Sequence, residues 1–392
     1  MTATTDLEHA PVVDRWADIT PLRHGPKARV SAAVARRIFL RTTDRLGIDV
    51  GTGPGADLVL HRPDEFFARL GSDGLIGFGE SYLTGAWDAD DLAGTLTVLC
   101  REITGLLPAW MRRLRGAYVA RPPRDQSGTT ENARRNIAHH YDLSNALFAT
   151  FLDPTLSYSS AMFDTGAVSE GAHMRLLPPP AGAQLEEAQG RKVERILDAA
   201  GVVFGTRVLE IGTGWGELAI RAARRGATVR SVTLSREQQQ LARERIAAAG
   251  LSDRVAVDLL DYREVTGQYD AVVSVEMIEA VGHAYWATYF RTLDRLLAPG
   301  GRVAIQAITM PHAQMLATRN TWTWINKYVF PGGFLPSVEA IEQVTREHTT
   351  LRLADRVAFG SHYAETLRQW DERFRAAHER VLELGFDETF LR

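Results

Sequence analysis

From about Gln184 onward the chain alternates short apolar runs with amphipathic ones, and this alternation narrows the fold more than any other feature. Arg207–Ile211, Thr228–Thr233, Val255–Leu259, Ala271–Val275 and Arg302–Ile308 have the length and β-branched content of buried strands. Leu185–Ala200, Glu217–Arg225 and Arg236–Ala249 carry their apolar residues at helical spacing. Parallel strands need crossovers, and crossover helices cover both sheet faces, so such strands read as continuous apolar runs. The pattern therefore predicts an α/β, Rossmann-like domain with a mostly parallel sheet, whose ligands bind at the carboxyl ends of the strands.

The 392 residues exceed one ordinary domain. Residues 1–22 read as a flexible leader, 23–120 as a smaller N-terminal α+β domain and 121–392 as the catalytic domain. In the N-terminal part Val30–Leu46 predicts a helix, Leu58–Leu60 and Leu75–Gly79 strand or turn, and Leu92–Leu107 a second helix. Pro178–Pro180 with Ala181 and Gly182 marks a surface loop. The final residues, Phe390–Arg392, fall inside a helical pattern, which predicts a shortened C-terminus.

Charge excludes some functions. A formal net charge of −3 argues against a nucleic-acid binder. Lysine occurs only at Lys27, Lys192 and Lys327, so arginine carries nearly all positive charge, the signature of a GC-rich genome rather than of a binding surface. Cys100 is the sole cysteine, which leaves no internal disulfide or cysteine-based zinc site and fits a cytoplasmic protein. His139, His140, His283 and His312 have no coherent ligand spacing, so no metal is expected. No run reaches the roughly 20 apolar residues of a membrane span. Trp110–Arg115 is basic and amphipathic. It reads either as a solvated helix end or as an interfacial anchor whose arginines meet lipid phosphates.

The densest chemical signal is Glu210-Ile211-Gly212-Thr213-Gly214-Trp215-Gly216, at a strand-to-helix turn. Glycines there adopt positive φ and let a ligand approach the backbone. The third glycine comes one residue earlier than in the dinucleotide fingerprint, so no pyrophosphate cradle is implied. An acid just before the glycines suits a ligand with an ammonium-bearing amino-acid end, which points to S-adenosylmethionine. After the second strand, Thr233 and Gln238 can bind ribose hydroxyls, while Ser235 can be merely the N-cap of the next helix.

Several blocks resemble the cyclopropane-fatty-acyl-phospholipid synthase family of methyltransferases, which includes the mycolic-acid modifying enzymes. They are Gly77–Tyr82, His140–Asn145, Leu156–Ser160, Glu210–Gly216, Thr233–Ser235 with Glu237-Gln238, Asp261–Arg263, and Trp324–Tyr328 with Phe330-Pro331. Val275–Gly282 and Ala304–His312 are similar to the actinobacterial branch associated with 10-methylene and 10-methyl stearate (tuberculostearate). The resemblance implies a class I methyltransferase fold. It implies cofactor contacts at Tyr158, Ser159, Gly212, Gly214, Thr233, Leu234, Gln238, Tyr262, Arg263 and Val275. It also implies a bicarbonate base held by Glu279, Tyr328, the backbone of Ile308 and the positions of Ser160 and Gln306. Ser160 stands where the family usually has Cys, and Gln306 where ring formers have His; both remain neutral hydrogen-bonding groups.

The implied reaction places the sulfonium methyl on the double bond of an oleoyl-type phospholipid chain. Proton loss after a hydride shift then gives a 10-methylene branch, and earlier proton loss a cyclopropane. Trp322, Trp324, Tyr328 and Phe330 are candidates to face the cation, or are ordinary core. A catalytically inactive lipid-binding protein and a methyltransferase for a soluble acceptor are rival readings. The expected setting is the inner membrane face, with phospholipid as substrate, a reductase as a further partner and a homodimer as the assembly.

Overall fold

The structure is a computed structural model that describes residues 19–101, 123, 144–171, 173–180 and 182–392. The Trp110–Arg115 stretch, His139, His140 and most of the His140–Asn145 block lie outside the described residues. In chain order the elements begin with α1 (Pro26–Leu46), β1 (Val50–Gly51), β2 (Leu58–Leu60), α2 (Pro63–Leu83), β3 (Trp87–Asp88) and α3 (Leu92–Arg101). Next come α4 (Asn145–Phe151), β4 (Ala167–Glu170), β5 (His173–Leu176), α5 (Leu185–Ala199), β6 (Arg207–Ile211) and α6 (Glu217–Arg224). They continue through β7 (Thr228–Thr233), α7 (Arg236–Ala248), β8 (Val255–Leu259), β9 (Tyr269–Val275), α8 (Ile278–Val281) and α9 (Trp286–Leu296). The last are β10 (Leu297–Gln306), α10 (His312–Thr318), α11 (Trp324–Tyr328), α12 (Val338–His348), β11 (Val357–Ala358), α13 (Gly360–Ala376), α14 (His378–Glu383) and α15 (Glu388–Leu391).

The described residues fall into two compact units. The first draws on Met1–Pro122, Thr321–Val329 and Val381–Arg392, and the second on Pro123–Asn320 and Phe330–Arg380. In the first, α1 opens on Pro26, whose fixed φ suits a first helical turn, and stops at Gly47 in the left-handed region. Strand β2 pairs parallel with β1 and antiparallel with β3. Leu58 and Phe66 are wholly buried in its core, where Phe66 meets Phe39, Phe67, Phe78 and Trp87 edge to face.

Leu75–Gly79 is not strand or turn but part of α2, a correction with a packing cause. Gly74 kinks the helix at φ 59°, whereas Gly77 and Gly79 are small for clearance. A Cβ at Gly77 would lie 2.0 Å from the Arg69 carbonyl, and one at Gly79 2.5 Å from the Trp324 ring. Glycines that signal a turn in sequence here let another group approach a helix.

The second unit is built on a five-stranded sheet in the order β10-β9-β6-β7-β8, with every pairing parallel. Successive strand residues face opposite sides. Val208, Val229 and Val273 pack with Leu197, Ala219 and Ile246 of α5, α6 and α7, while Leu209, Val232 and Val272 pack with Tyr289 and Leu293 of α9. A second, three-stranded sheet pairs β5 antiparallel with β4 and parallel with β11. Buried His362 ties it to α13, accepting the Phe163 N–H at Nδ1 (3.0 Å) with Nε2 2.9 Å from the Leu177 carbonyl. Among the described residues no helix is long and apolar enough to cross a membrane.

Candidate active site

The turn after β6 sets the floor of a pocket at the carboxyl edge of the five-stranded sheet. Gly212, Gly214 and Gly216 all have positive φ (95°, 52° and 90°), which L side chains rarely adopt. A Cβ at Gly212 would come within 3.3 Å of Met277, and one at Gly216 within 3.2 Å of Ala242. The glycines therefore provide both the conformation and the clearance that keep the turn's backbone against the pocket.

Each position expected to contact the cofactor lines this pocket. Gly212 and Gly214 come from the turn after β6, Thr233, Leu234 and Gln238 from the end of β7 and the start of α7, and Val275 from the end of β9. Tyr262 and Arg263 come from a short 3-10 turn after β8, and Tyr158 and Ser159 from the loop before β4. Ser235 is indeed the N-cap of α7, accepting the Gln238 N–H at 3.1 Å, and this cap helps hold Gln238 in the pocket wall. The Thr233 hydroxyl donates to Gln238 Oε1 at 2.9 Å.

Burial decides the electrostatics. Glu210 is buried within β6 and its carboxyl is pushed up to about 8, despite a 2.5 Å hydrogen bond from Ser231. Lys192 on α5 donates to Ser159 Oγ at 2.6 Å, and burial pulls its ammonium down to about 8 against the opposing charges of Glu276, Asp153 and Glu217. Tyr262 is buried with a hydroxyl that lacks a hydrogen-bond partner, and burial pushes it up to about 12. Arg263 is held as a cation by a fork to Asp261 at 2.8 and 2.7 Å, so it acts as a fixed wall group. Tyr158 stacks on Trp370 with centroids 5.3 Å apart.

These features fit S-adenosylmethionine: a glycine turn for close backbone approach, a buried acid behind it, polar side chains at the end of β7 and an unpartnered hydroxyl at Tyr262.

Beside this pocket lies a cluster of carboxyl and amide groups. The backbone N–H of Ser160 and the amide of Gln306 both donate to Glu276 Oε1, at 2.9 and 2.8 Å. Gln306 also reaches the Ser160 carbonyl at 3.2 Å. The Ile308 N–H donates to Glu279 Oε1 at 2.5 Å, and Glu279 Oε2 is buried without a partner. Burial and the neighbouring Glu276 push Glu279 up to about 8. Ser160, Gln306, Ile308 and Glu279 thus sit together as expected, but around Glu276, which the sequence reading did not single out. Glu276 lines the pocket; Glu279 does not.

Tyr328 belongs to the first unit, where its hydroxyl donates to buried Glu80 at 2.9 Å beside Lys327, which donates to the same oxygen at 2.6 Å. Trp322 and Trp324 belong to that unit too. The pocket's aromatic lining is Tyr158, Trp215 and Tyr262. Lys192, a buried lysine that lines the pocket, was not singled out by the sequence reading.

A parallel sheet in this order, with the glycine turn after β6 and a buried acid behind it, defines a class I S-adenosylmethionine-dependent methyltransferase. A family model described as mycolic acid cyclopropane synthetase matches residues 128–392, and the chain belongs to that family. The tuberculostearic acid methyltransferase UfaA1 of Mycobacterium tuberculosis is 53% identical over 389 residues, covering 97% of this chain and 89% of the relative. The cyclopropane-fatty-acyl-phospholipid synthase of Escherichia coli is 35% identical over 361 residues, 91% of this chain and 86% of the relative. Among solved structures, the mycolic acid cyclopropane synthase CmaA1 complexed with SAH and CTAB aligns with a TM-score of 0.55 at 27% identity, covering 66% of this chain and 88% of that one. The cyclopropane synthase MmaA2 from Mycobacterium tuberculosis aligns with a TM-score of 0.53 at 28% identity, over 64% and 86%.

Proposed function

We propose that this chain transfers the methyl group of S-adenosylmethionine to the double bond of an oleoyl-type phospholipid acyl chain and forms a 10-methylene branch. The convergence of Tyr158, Gly212, Thr233, Gln238 and Tyr262 on one pocket carries the cofactor part of this reading. The acyl acceptor follows from family membership, and the branched product from the 53% identical tuberculostearic acid methyltransferase. Bound in the pocket, the cofactor supplies an electrophilic methyl on a sulfonium.

The protein's task is alignment and exclusion of water, because an alkene is a weak nucleophile and the cation formed on methylation is quenched by solvent. The glycine turn and the Thr233–Gln238 wall orient the cofactor. The carboxyl–amide cluster beside the pocket supplies the proton acceptor that ends the reaction. A hydride shift before proton loss leaves the methylene; earlier loss closes a ring, as the 35% identical cyclopropane synthase would have it. The inactive-protein reading has little support, since the expected cofactor positions stand together in one pocket.

The acceptor is taken to be a phospholipid at the cytoplasmic membrane face, with residues 23–120 as the lipid-associated part. A reductase would then convert the methylene to a methyl branch, and a homodimer is the proposed assembly. The test is incubation with deuteromethyl S-adenosylmethionine and oleoyl phospholipid vesicles, then fragmentation mass spectrometry of the released acids. A methylene branch retaining both remaining deuterons supports the reading, and a cyclopropane product alone refutes the branch assignment. Label in a soluble acceptor but in no acyl chain would refute the lipid reading altogether.

A further inference from the structure

We propose that Glu276 is the base of this reaction, a carboxylate built into the chain where the family resemblance implies a bound bicarbonate. The inference rests on the acyl-chain methyltransferase reading above and names the group that completes it.

The first observation is donor occupancy. The groups that the resemblance allots to an anion are Ser160, Gln306, Glu279, Tyr328 and the Ile308 backbone, of which all but Tyr328 belong to the cofactor-bearing second unit. The Gln306 amide and the Ser160 N–H both end on Glu276 Oε1, and the second Gln306 contact is the Ser160 carbonyl. The Ile308 N–H ends on Glu279. A bicarbonate placed here would find these donors already holding carboxylates and would face two acidic side chains. The residues present do not fit the added ion. They fit an anion that the chain supplies itself.

The second observation is placement. Glu276 follows Val275, the last residue of β9, at the sheet edge where sites of this fold form. Its backbone sits at φ 48°, a left-handed conformation uncommon for a side chain larger than hydrogen. Its own N–H is anchored on the Gln306 carbonyl at 2.8 Å. Conformations of this kind persist where the surrounding structure holds a side chain in a required position. The carboxylate so placed lines the cofactor pocket, and the Tyr363 hydroxyl approaches its second oxygen at 3.5 Å.

The third observation separates the two acids. Two neighbouring buried carboxyls do not both ionise readily. Burial raises the Glu276 carboxyl as well, but the Ser160 and Gln306 donors and the field of the Lys192 ammonium oppose that rise. Glu279 has the Ile308 N–H and its own N–H, an unpartnered oxygen and the repulsion of Glu276. The hydrogen-bond geometry therefore favours the shared charge on Glu276 and the proton on Glu279.

In the reaction, a Glu276 oxygen takes a proton from the transferred methyl group once the cation stands on the carbon bearing it. The C–H pair becomes the second bond of the methylene, and Glu276 is left neutral until it releases that proton to water.

The experiment uses the full chain with oleoyl phospholipid vesicles in carbon-dioxide-depleted buffer, with and without added bicarbonate. It compares wild type, Glu276→Gln, Glu276→Gly and Glu279→Gln. S-adenosylhomocysteine binding by calorimetry checks that each variant keeps a folded cofactor site. Wild-type turnover is expected to be indifferent to bicarbonate. Glu276→Gln should lose about 100-fold or more in turnover with binding retained. Glu276→Gly, which removes the carboxylate and tolerates the positive φ, should regain activity severalfold when bicarbonate or formate is added. Wild-type turnover that collapses without bicarbonate, or a Glu276→Gln variant at wild-type rate, overturns the proposal. Binding of 13C-bicarbonate followed by NMR reads the same point without turnover: binding to Glu276→Gly alone supports it, and binding to wild type overturns it. If wild type methylates no acyl chain, the functional reading fails while the NMR result still decides what Glu276 occupies.

Discussion

Glu210 offers a sharp test of how the pocket recognises its cofactor. Its carboxyl stands near 8 in the ligand-free protein because burial penalises the charge. Pairing with the ammonium of the cofactor's amino-acid end requires the ionised form. At pH 7, one unit below that value, ionisation costs about 1.4 kcal/mol. The charge-assisted contact it enables contributes about 1.5–3 kcal/mol. S-adenosylhomocysteine should therefore bind about tenfold more tightly per pH unit from 6 to 8, and the slope should flatten above 8. Glu210→Gln keeps an acceptor for Ser231 but cannot ionise, so its affinity should lack this slope and be about 10- to 100-fold weaker at pH 8.

The same shift has a stability consequence of opposite sense. A carboxyl raised from 4.5 to about 8 stabilises the fold in its neutral form. That contribution is fully present below pH 4.5 and is lost as pH rises through 8. It amounts to at most about 5 kcal/mol over that interval. The ligand-free melting temperature should fall between pH 5 and 8 in wild type and fall less in Glu210→Gln. Calorimetric titration and thermal melts across pH 6–9 read both effects. Titration of Lys192 and of the ligand amine is common to the two proteins and cancels in the comparison. A wild-type affinity flat from pH 6 to 8, or the same slope in Glu210→Gln, would refute the reasoning.

Other outcomes follow from the same geometry. Gly216→Ala places a Cβ 3.2 Å from Ala242 at φ 90° and should cost about 1–3 kcal/mol in chemical denaturation, with weakened cofactor binding. Glu80→Ala removes the carboxylate shared by Arg69, Lys327, Tyr328 and Thr20, leaving the largely buried Lys327 ammonium without it and Arg69 with Glu65 as its remaining carboxylate; unfolding in urea should show a loss of about 3–5 kcal/mol. Thr233→Val removes a pocket-lining hydroxyl bonded to Gln238 and should raise the dissociation constant for S-adenosylhomocysteine about tenfold in calorimetry.

The central sheet was legible in the sequence because strands covered on both faces are rich in short, β-branched apolar runs. Thr228–Thr233 and Val255–Leu259 match their predicted bounds. Glu210–Gly216 was equally legible: positive φ at a strand-to-helix turn demands glycine. Leu75–Gly79 misled for the converse reason, since Gly77 and Gly79 are needed for clearance from Arg69 and Trp324, groups that local sequence does not reveal.

What sequence alone determined was therefore the class of fold, the cofactor turn and the residue types around it, all set by local backbone and burial constraints. Which donor meets which acceptor was decided only by tertiary structure. Ser160 and Glu276 are 116 positions apart yet share a hydrogen bond, and Gln306 closes the same cluster from β10. The Tyr328 hydroxyl donates to Glu80, 248 positions away. The ionisation of Glu210, Lys192 and Glu279 likewise comes from burial and neighbouring charge, which exist only once the chain has folded.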